Sequence, residues 1–211
     1  MKLAYIGYGA FARQLEQVFA ESGVQVTESV YFDDCAANEK LVNAFPFASC
    51  LSAELGEYQY VLALGYHHLQ RKQHVAEELL KQRKNLFTYV HPSAQVSPST
   101  RIAPGAIIFS GCTICMNVVV GPGTVIYNGC VVAHDVTIGA CSFLAPGVTI
   151  AGRTVLEDRC FVGCGSAFAN DLHIGADVVV GMATAVSKSI ASGHSVVGNP
   201  QRVLKTKLRL T

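Results

Sequence analysis

His134 and Asp135 stand side by side in the run VVAHDVTIG, between Val132 and Ile138. A histidine next to a carboxylate is a proton-transfer pair. The imidazole accepts a proton near neutral pH, and the carboxylate raises its basicity and selects its tautomer. Such a base serves the attack of an amine or a hydroxyl on an acyl carbonyl. A second candidate lies near the N-terminus, where Gly7-Tyr8-Gly9-Ala10-Phe11-Ala12 approximates the GxGxxA turn that cradles phosphate. Asp33 and Asp34 follow at a distance suited to a ribose contact. A dinucleotide site needs two βαβ halves, and this segment has length for little more than one. A smaller nucleotide or a nucleotide sugar therefore fits better than NAD, and a tight turn that binds nothing is the plain alternative.

What must position His134 is a repeat. Stepping by six from Val90 to Val186 meets seventeen positions, of which all but Phe168 are Val, Ile or Leu. Four residues after nearly every one stands a small or β-branched residue, such as Ala106, Cys112, Thr124, Cys130, Val136 and Ser142. Neither a helix of period 3.6 nor a strand of period 2 repeats at six. Short strands joined by tight turns do, and three hexads close one triangular coil of a parallel β-helix. At a strand spacing of ~4.8 Å, five to six coils make a prism roughly 25 Å tall. First and fifth positions point inward, so His134 and Asp135, third and fourth in their hexad, are expected at an exposed corner. Three hexads on from His134 stands Gly152, which admits a thioester close to the backbone and offers an N–H to a developing oxyanion.

Residues 1–86 read as alternating strands and helices with a parallel sheet: KLAYIG, RQLEQVFAES, VTESVYFDD, YQYVLALG and HHLQRKQHVAEELLKQ. The expected domains are 1–86, Rossmann-like and sugar-nucleotide-binding; 87–193, the β-helix; and 194–211, a tail that turns at Asn199–Pro200 and folds back along the prism. Residues 1–86 and the tail would cap the open ends of the coil. The formal net charge is +1 with 15% charged residues, which steers the chain toward neither nucleic acid nor an anionic membrane. No apolar run reaches the ~18–20 residues of a membrane span. Eight cysteines without an export signal are expected to stay as thiols in the cytoplasm.

The segments IGYGAFARQLEQVF, YFDD, LALGYHHLQRKQ, HPSAQVSPS, HDVTIG, LAPGVTIAG and VVGNP follow one another in an order that resembles the hexapeptide-repeat sugar acetyltransferases of the PglD/NeuD type. That group includes bacillosamine, perosamine and sialic-acid acetyltransferases. The resemblance implies a left-handed β-helix, a homotrimer, acetyl-CoA as cosubstrate, and acetylation of the amino group of a nucleotide-linked sugar for a bacterial surface glycan or glycoprotein. It makes His134 the base and Asp135 its helper. Gly9, Ala10, Phe11, Asp33, Asp34 and Gly65 match sugar-nucleotide positions, and Phe143, Gly152, Cys164 and Met182 match positions along the acetyl-CoA groove between neighbouring subunits. Three departures concern the pocket. Tyr127 stands where the family often has Asn (with Asn128 adjacent), Phe143 stands where it often has His, and the glycine turn ends Gly9-Ala10-Phe11.

Other readings remain in view. The sialic-acid type of O-acetylation uses the same core. A γ-type carbonic anhydrase shares the prism but needs three histidines on zinc. No two of His134, His173 and His194 are a whole number of coils apart, so they do not stack, and no metal is expected. A scaffold carrying a nucleotide-sensing domain is the non-enzymatic reading. Cys112 and Cys115 match CxxC, but one is an inward residue and the other is not; Cys112 and Cys130, one coil apart, should stack in the core. His67, His68 and His74 read as solvated. Lys188, Arg202, Lys205 and Lys207 form a basic group either facing CoA phosphates or simply in solvent.

Overall fold

Apolar residues three and four apart put one face of a helix against a sheet, and that spacing organises the first part of the chain. The computed structural model describes residues 1–206 and 208, and the chain divides into two compact units, Met1–Thr88 and Tyr89–Thr211. In the first unit β1 (Lys2–Ile6) leads through Gly7–Gly9 into α1 (Ala10–Glu21), whose Ala12, Leu15 and Phe19 are buried. Next come β2 (Glu28–Phe32), α2 (Asp34–Asn38), β3 (Ala44–Phe45) and a 3₁₀ turn over Phe47–Cys50. β4 (Tyr58–Val61) and α3 (Leu69–Lys81) complete the unit. The sheet is parallel in the order β3-β2-β1-β4. The order therefore reverses between β1 and β4, and a crevice opens at their carboxyl ends. α2, β3 and the 3₁₀ turn were not legible in the sequence, because residues 34–57 hold no run long enough to show either periodicity. α3 also departs from its polar appearance. Lys72 lies on its inner stripe with Leu69, Val75, Ala76 and Leu79 and is 1% exposed.

The second unit is a parallel β-helix of the left-handed hexapeptide type. Its two-residue strands pair with strands three hexads away, as in Val125↔Phe143 and Val131↔Thr149. They form three sheets. The first runs from Tyr89–Val90 to Ser195–Val197, the second from Gln95–Val96 to Ala185–Val186, and the third from Arg101–Ile102 to His173–Ile174. First-position residues from Ile108 to Val186 and the fifth-position Cys112, Val118, Cys130, Val136, Val148 and Cys160 make one buried core. Polar fifth positions enter it because their hydroxyls donate to carbonyls one turn on: Thr124 to Gly139 O at 2.7 Å, Ser142 to Glu157 O at 3.2 Å, Thr154 to Ala169 O at 3.1 Å. That contact replaces the water a buried hydroxyl would otherwise lose. Val90, Val96 and Ile102 in the first rung stay more exposed than their counterparts above.

The chain reverses at Asn199–Pro200. Arg202–Val203 pairs antiparallel with Ser195–Val197 and so covers the last edge of the first sheet. Among the described residues no helix is long and apolar enough to cross a membrane.

Candidate active site

His134 sits at the corner between the second and third sheets, its side chain 41% exposed and that of Asp135 46% exposed. Three constraints hold it there. Val132 and Val136 anchor either side of the turn in the core, both at 0% exposure. The turn is stapled coil to coil, Asp135 N–H donating to Met116 O and Arg153 N–H to His134 O, each at 3.0 Å. Asp135 takes the left-handed backbone conformation (φ 59°), which aspartate adopts more readily than most side chains. That conformation returns its carboxylate to its own neighbour, and His134 Nδ1 lies 2.7 Å from Asp135 Oδ2. A carboxylate only accepts, so Nδ1 carries the proton and the lone pair is left on Nε2. Asp135 Oδ1 accepts from Asn117 Nδ2 at 2.9 Å. The hydrogen bond from His134, then that from Asn117, hold the Asp135 carboxyl below its usual range.

Gly152 is where the coil period places it, but its part in the geometry differs from the expectation. A methyl group built there would lie 2.7 Å from both His134 Cε1 and Nε2. The imidazole itself, not an incoming thioester, occupies the space over the Gly152 Cα. Gly152 is buried, and its N–H donates to no acceptor among the described residues.

The other residues expected along an acetyl-CoA groove lie elsewhere in the unit. Cys164 and Met182 are successive rungs of the corner between the first and second sheets, both exposed, with Ala183 N–H donating to Cys164 O at 2.8 Å. Phe143 is on the outer face of the first sheet, 5% exposed. There Phe109, Tyr127, Phe143 and Phe161 form a column with successive ring centroids 4.3, 5.4 and 6.0 Å apart. A single chain thus brings Gly152 to His134 but leaves Phe143, Cys164 and Met182 off its edge.

In the first unit the β1/β4 switch point collects the glycine-turn residues. Gly7 has φ +91°, the left-handed region that favours glycine, while Gly9 precedes α1 with no side-chain cap and no atom within 4 Å of where a Cβ would stand. Ala10 opens the helix, exposed, and Phe11 Cβ is 3.9 Å from where a Gly65 side chain would begin. Asp33 braces the turn from β2: Oδ2 accepts from Tyr8 N–H at 2.9 Å, and Oδ1 caps α2 at Ala36 N–H, 3.0 Å. Asp34 is turned to the 3₁₀ segment, accepting from Phe47 N–H at 2.8 Å. Beside the turn lies a cavity of about 330 Å³ lined by Tyr8, Gly9, Arg13, Asp33, Cys35 and Leu41, among others. Tyr8 and Arg13 were not singled out from the sequence. Their signal was an aromatic and a cation within a turn of the glycines. Glu16 accepts from the Tyr8 and Tyr31 hydroxyls at 3.1 and 2.8 Å; burial first, and Glu16 with it, pushes both phenols up.

The other candidates take separate places. His173 Nε2 pairs with Glu157 Oε1 at 2.9 Å, and His194 Nδ1 lies against the Ala191 and Ser192 carbonyls. Among the described residues no three His, Cys, Asp or Glu side chains converge as metal ligands. All eight cysteines are free thiols. Cys112 and Cys130 are core residues whose Sγ atoms lie 3.0 and 3.2 Å from the Tyr127 and Ala145 carbonyls, and burial pushes the Cys160 thiol up to about 12. Of the CxxC pair, Cys112 is buried and Cys115 is half-buried. His67, His68 and His74 are exposed, as are Lys188, Arg202 and Lys205; Lys207 lies outside the described residues.

Repeat, coil and corner histidine together define a class. A family model described as bacterial transferase hexapeptide (six repeats) matches residues 117–152, the coils that carry His134 and Gly152. Among solved structures the chain is similar to the acetyltransferase domain of PglB from Neisseria gonorrhoeae, at 25% identity over 96% of this chain and 99% of that one, with a TM-score of 0.84. That domain has also been solved with acetyl coenzyme A. PerB from Caulobacter crescentus, in complex with CoA and GDP-perosamine, is similar at 24% identity over 97% of both chains, TM-score 0.86. WeeI from Acinetobacter baumannii is similar at 21% identity over 97% of this chain and 100% of that one, TM-score 0.83. Comparison with curated protein sequences returns no match.

Proposed function

We propose that this chain is an acetyl-CoA-dependent N-acetyltransferase acting on the amino group of a nucleotide-linked sugar. The observation that carries the reading is the His134–Asp135 pair, with Nδ1 tied to the carboxylate at 2.7 Å and the half-exposed ring seated over Gly152. The PglB and PerB complexes, bound to acetyl coenzyme A and to CoA with GDP-perosamine, support the two substrate classes. The amine nitrogen attacks the thioester carbonyl carbon and a C–N bond forms. His134 Nε2 takes the amine proton, and Gly152 leaves the space in which the ring sits. The C–S bond then breaks, and the leaving sulfur takes the proton from Nε2, which releases CoA as the thiol and regenerates the neutral imidazole. No covalent enzyme intermediate is needed.

The nucleotide part of the acceptor belongs to the β1/β4 crevice, with its phosphates at the start of α1 beside Gly9, Ala10 and Phe11 and its ribose toward Asp33. Gly65 leaves room there, and Asp34 holds the neighbouring loop. Phe143, Cys164 and Met182 of a second copy complete the acetyl-CoA groove in a homotrimer, because no single prism brings those edges together. We place the enzyme in the cytoplasm, where its thiols stay reduced.

The test is release of free CoA thiol from acetyl-CoA with UDP-, dTDP-, GDP- and CMP-linked amino sugars. His134→Ala should lower kcat/KM by ~10²–10⁴-fold, the usual contribution of a positioned base. Full activity in that variant would remove His134 from the mechanism. Turnover with a hydroxyl acceptor such as a sialic acid, and with no amino sugar, would replace N-acylation by O-acylation.

A further inference from the structure

The fourth-position residues on the His134 edge form a polar column, Asn117, Asp135, Arg153 and Asp171, one per coil, with φ between 59° and 61°. Rungs are ~4.8 Å apart, so each side chain reaches the one above and the one below. Asn117 binds Asp135 Oδ1, and Oδ2 receives His134. Arg153 donates through Nε and Nη2 to Asp171 Oδ1 and Oδ2 at 2.6 and 2.7 Å. Arg153 stands one coil from Asp135 and one coil from Asp171, and its charge acts on both carboxylates. A planar guanidinium commits to the carboxylate that meets both of its donors, and here that is Asp171.

We propose that Asp171 is a positioning residue for the acyl transfer: by engaging Arg153 it keeps the guanidinium off Asp135 and leaves Asp135 paired with His134. The inference rests on His134 being the base. The simpler account is a clamp that staples adjacent coils, and such a clamp exists one corner on. Arg159 donates to Asp177 with the same two-bond fork, at 2.9 and 2.7 Å. The residue one coil before Arg159 is Cys141, not a carboxylate. The two forks differ in whether there is a functional carboxylate to protect, so the second is an internal control.

The charged or titratable groups facing Asp135 are His134 and Arg153, those facing Arg153 are Asp171 and Asp135, and Asp171 and His134 also act on one another through charge. Asp171→Asn removes the charge while keeping a side chain tolerated at positive φ. Arg153 is then expected to turn to Asp135 and draw it from His134. The result should be a kcat lower by ~10-fold, a fraction of what the base itself contributes, with KM for acetyl-CoA unchanged. The acid limb of the rate profile should move to lower pH, because the imidazole has lost its counter-charge. Adding Arg153→Gly should restore kcat to within about 2-fold and return the acid limb. Asp177→Asn should leave kcat as it is.

A loss in Asp171→Asn that Arg153→Gly does not restore, or no loss at all, overturns the proposal. His134→Ala, measured alongside, separates the two levels. If that variant stays active, the general-base reading has failed; if it is inactive and Asp171→Asn is not slowed, only this inference has.

Discussion

Gly152→Ala is the sharpest perturbation the structure offers, because it adds one methyl group and changes no charge. Gly152 does not occupy the left-handed region, so alanine is conformationally admissible and only space is tested. The new Cβ would meet His134 Cε1 and Nε2 at 2.7 Å and Cδ2 at 3.2 Å. Carbon atoms rest at about 3.5–4.0 Å, so the ring must move outward by about 1 Å. The ring is half in solvent and free to move, and the overlap is relieved at the expense of the 2.7 Å hydrogen bond to Asp135 Oδ2. A displacement of about 1 Å at a reacting group costs on the order of 10²-fold. The expected outcome is a kcat/KM lower by ~10² in the thiol-release assay, with a thermal midpoint within a few degrees of the parent. A folded Gly152→Ala protein with undiminished kcat/KM, beside an inactive His134→Ala, would refute the argument that this corner's geometry sets the rate.

Three further outcomes follow from the same geometry. Asp135→Asn should lower kcat on the order of 10²-fold and move the acid limb of kcat/KM to lower pH, read from rate profiles, since the amide neither fixes Nδ1–H nor stabilises the imidazolium. Asp135 and Asp171 titrate below the usual carboxylate range, Asp135 through His134 and Asp171 through Arg153. Their contribution to stability is therefore present above the unfolded-state value and lost as pH falls through the depressed folded values, so the thermal midpoints of parent and Asp171→Asn should converge in acid. Ile138→Ala, at a core position 1% exposed, should cost about 2–5 kcal/mol in denaturant unfolding.

How much of this was legible depends on how far a residue's place is set by its neighbours in sequence. A coil of three hexads, held by strand pairing at that same interval, turns chain position into spatial position. The corner setting of His134, the stacking of Gly152 on it and the core places of Cys112 and Cys130 could therefore be read by counting. The same count places Asn117, Arg153 and Asp171 around Asp135, and Cys164 and Met182 on another edge. That signal is present in the sequence as plainly as the one that locates Gly152.

Counting could not show what fills the space over Gly152, because that depends on the rotamer His134 adopts once Asp135 turns back toward it. Nor could it show that Arg153 chooses Asp171, a competition between two carboxylates at equal sequence distance. In Met1–Thr88 the limit is stricter. Lys72 is buried and Asp33 braces Tyr8 because strands and helices far apart in the chain pack together, and no local period encodes that. Where backbone register repeats, sequence alone determines the address of a side chain; where long-range packing and side-chain competition decide, only the tertiary structure does.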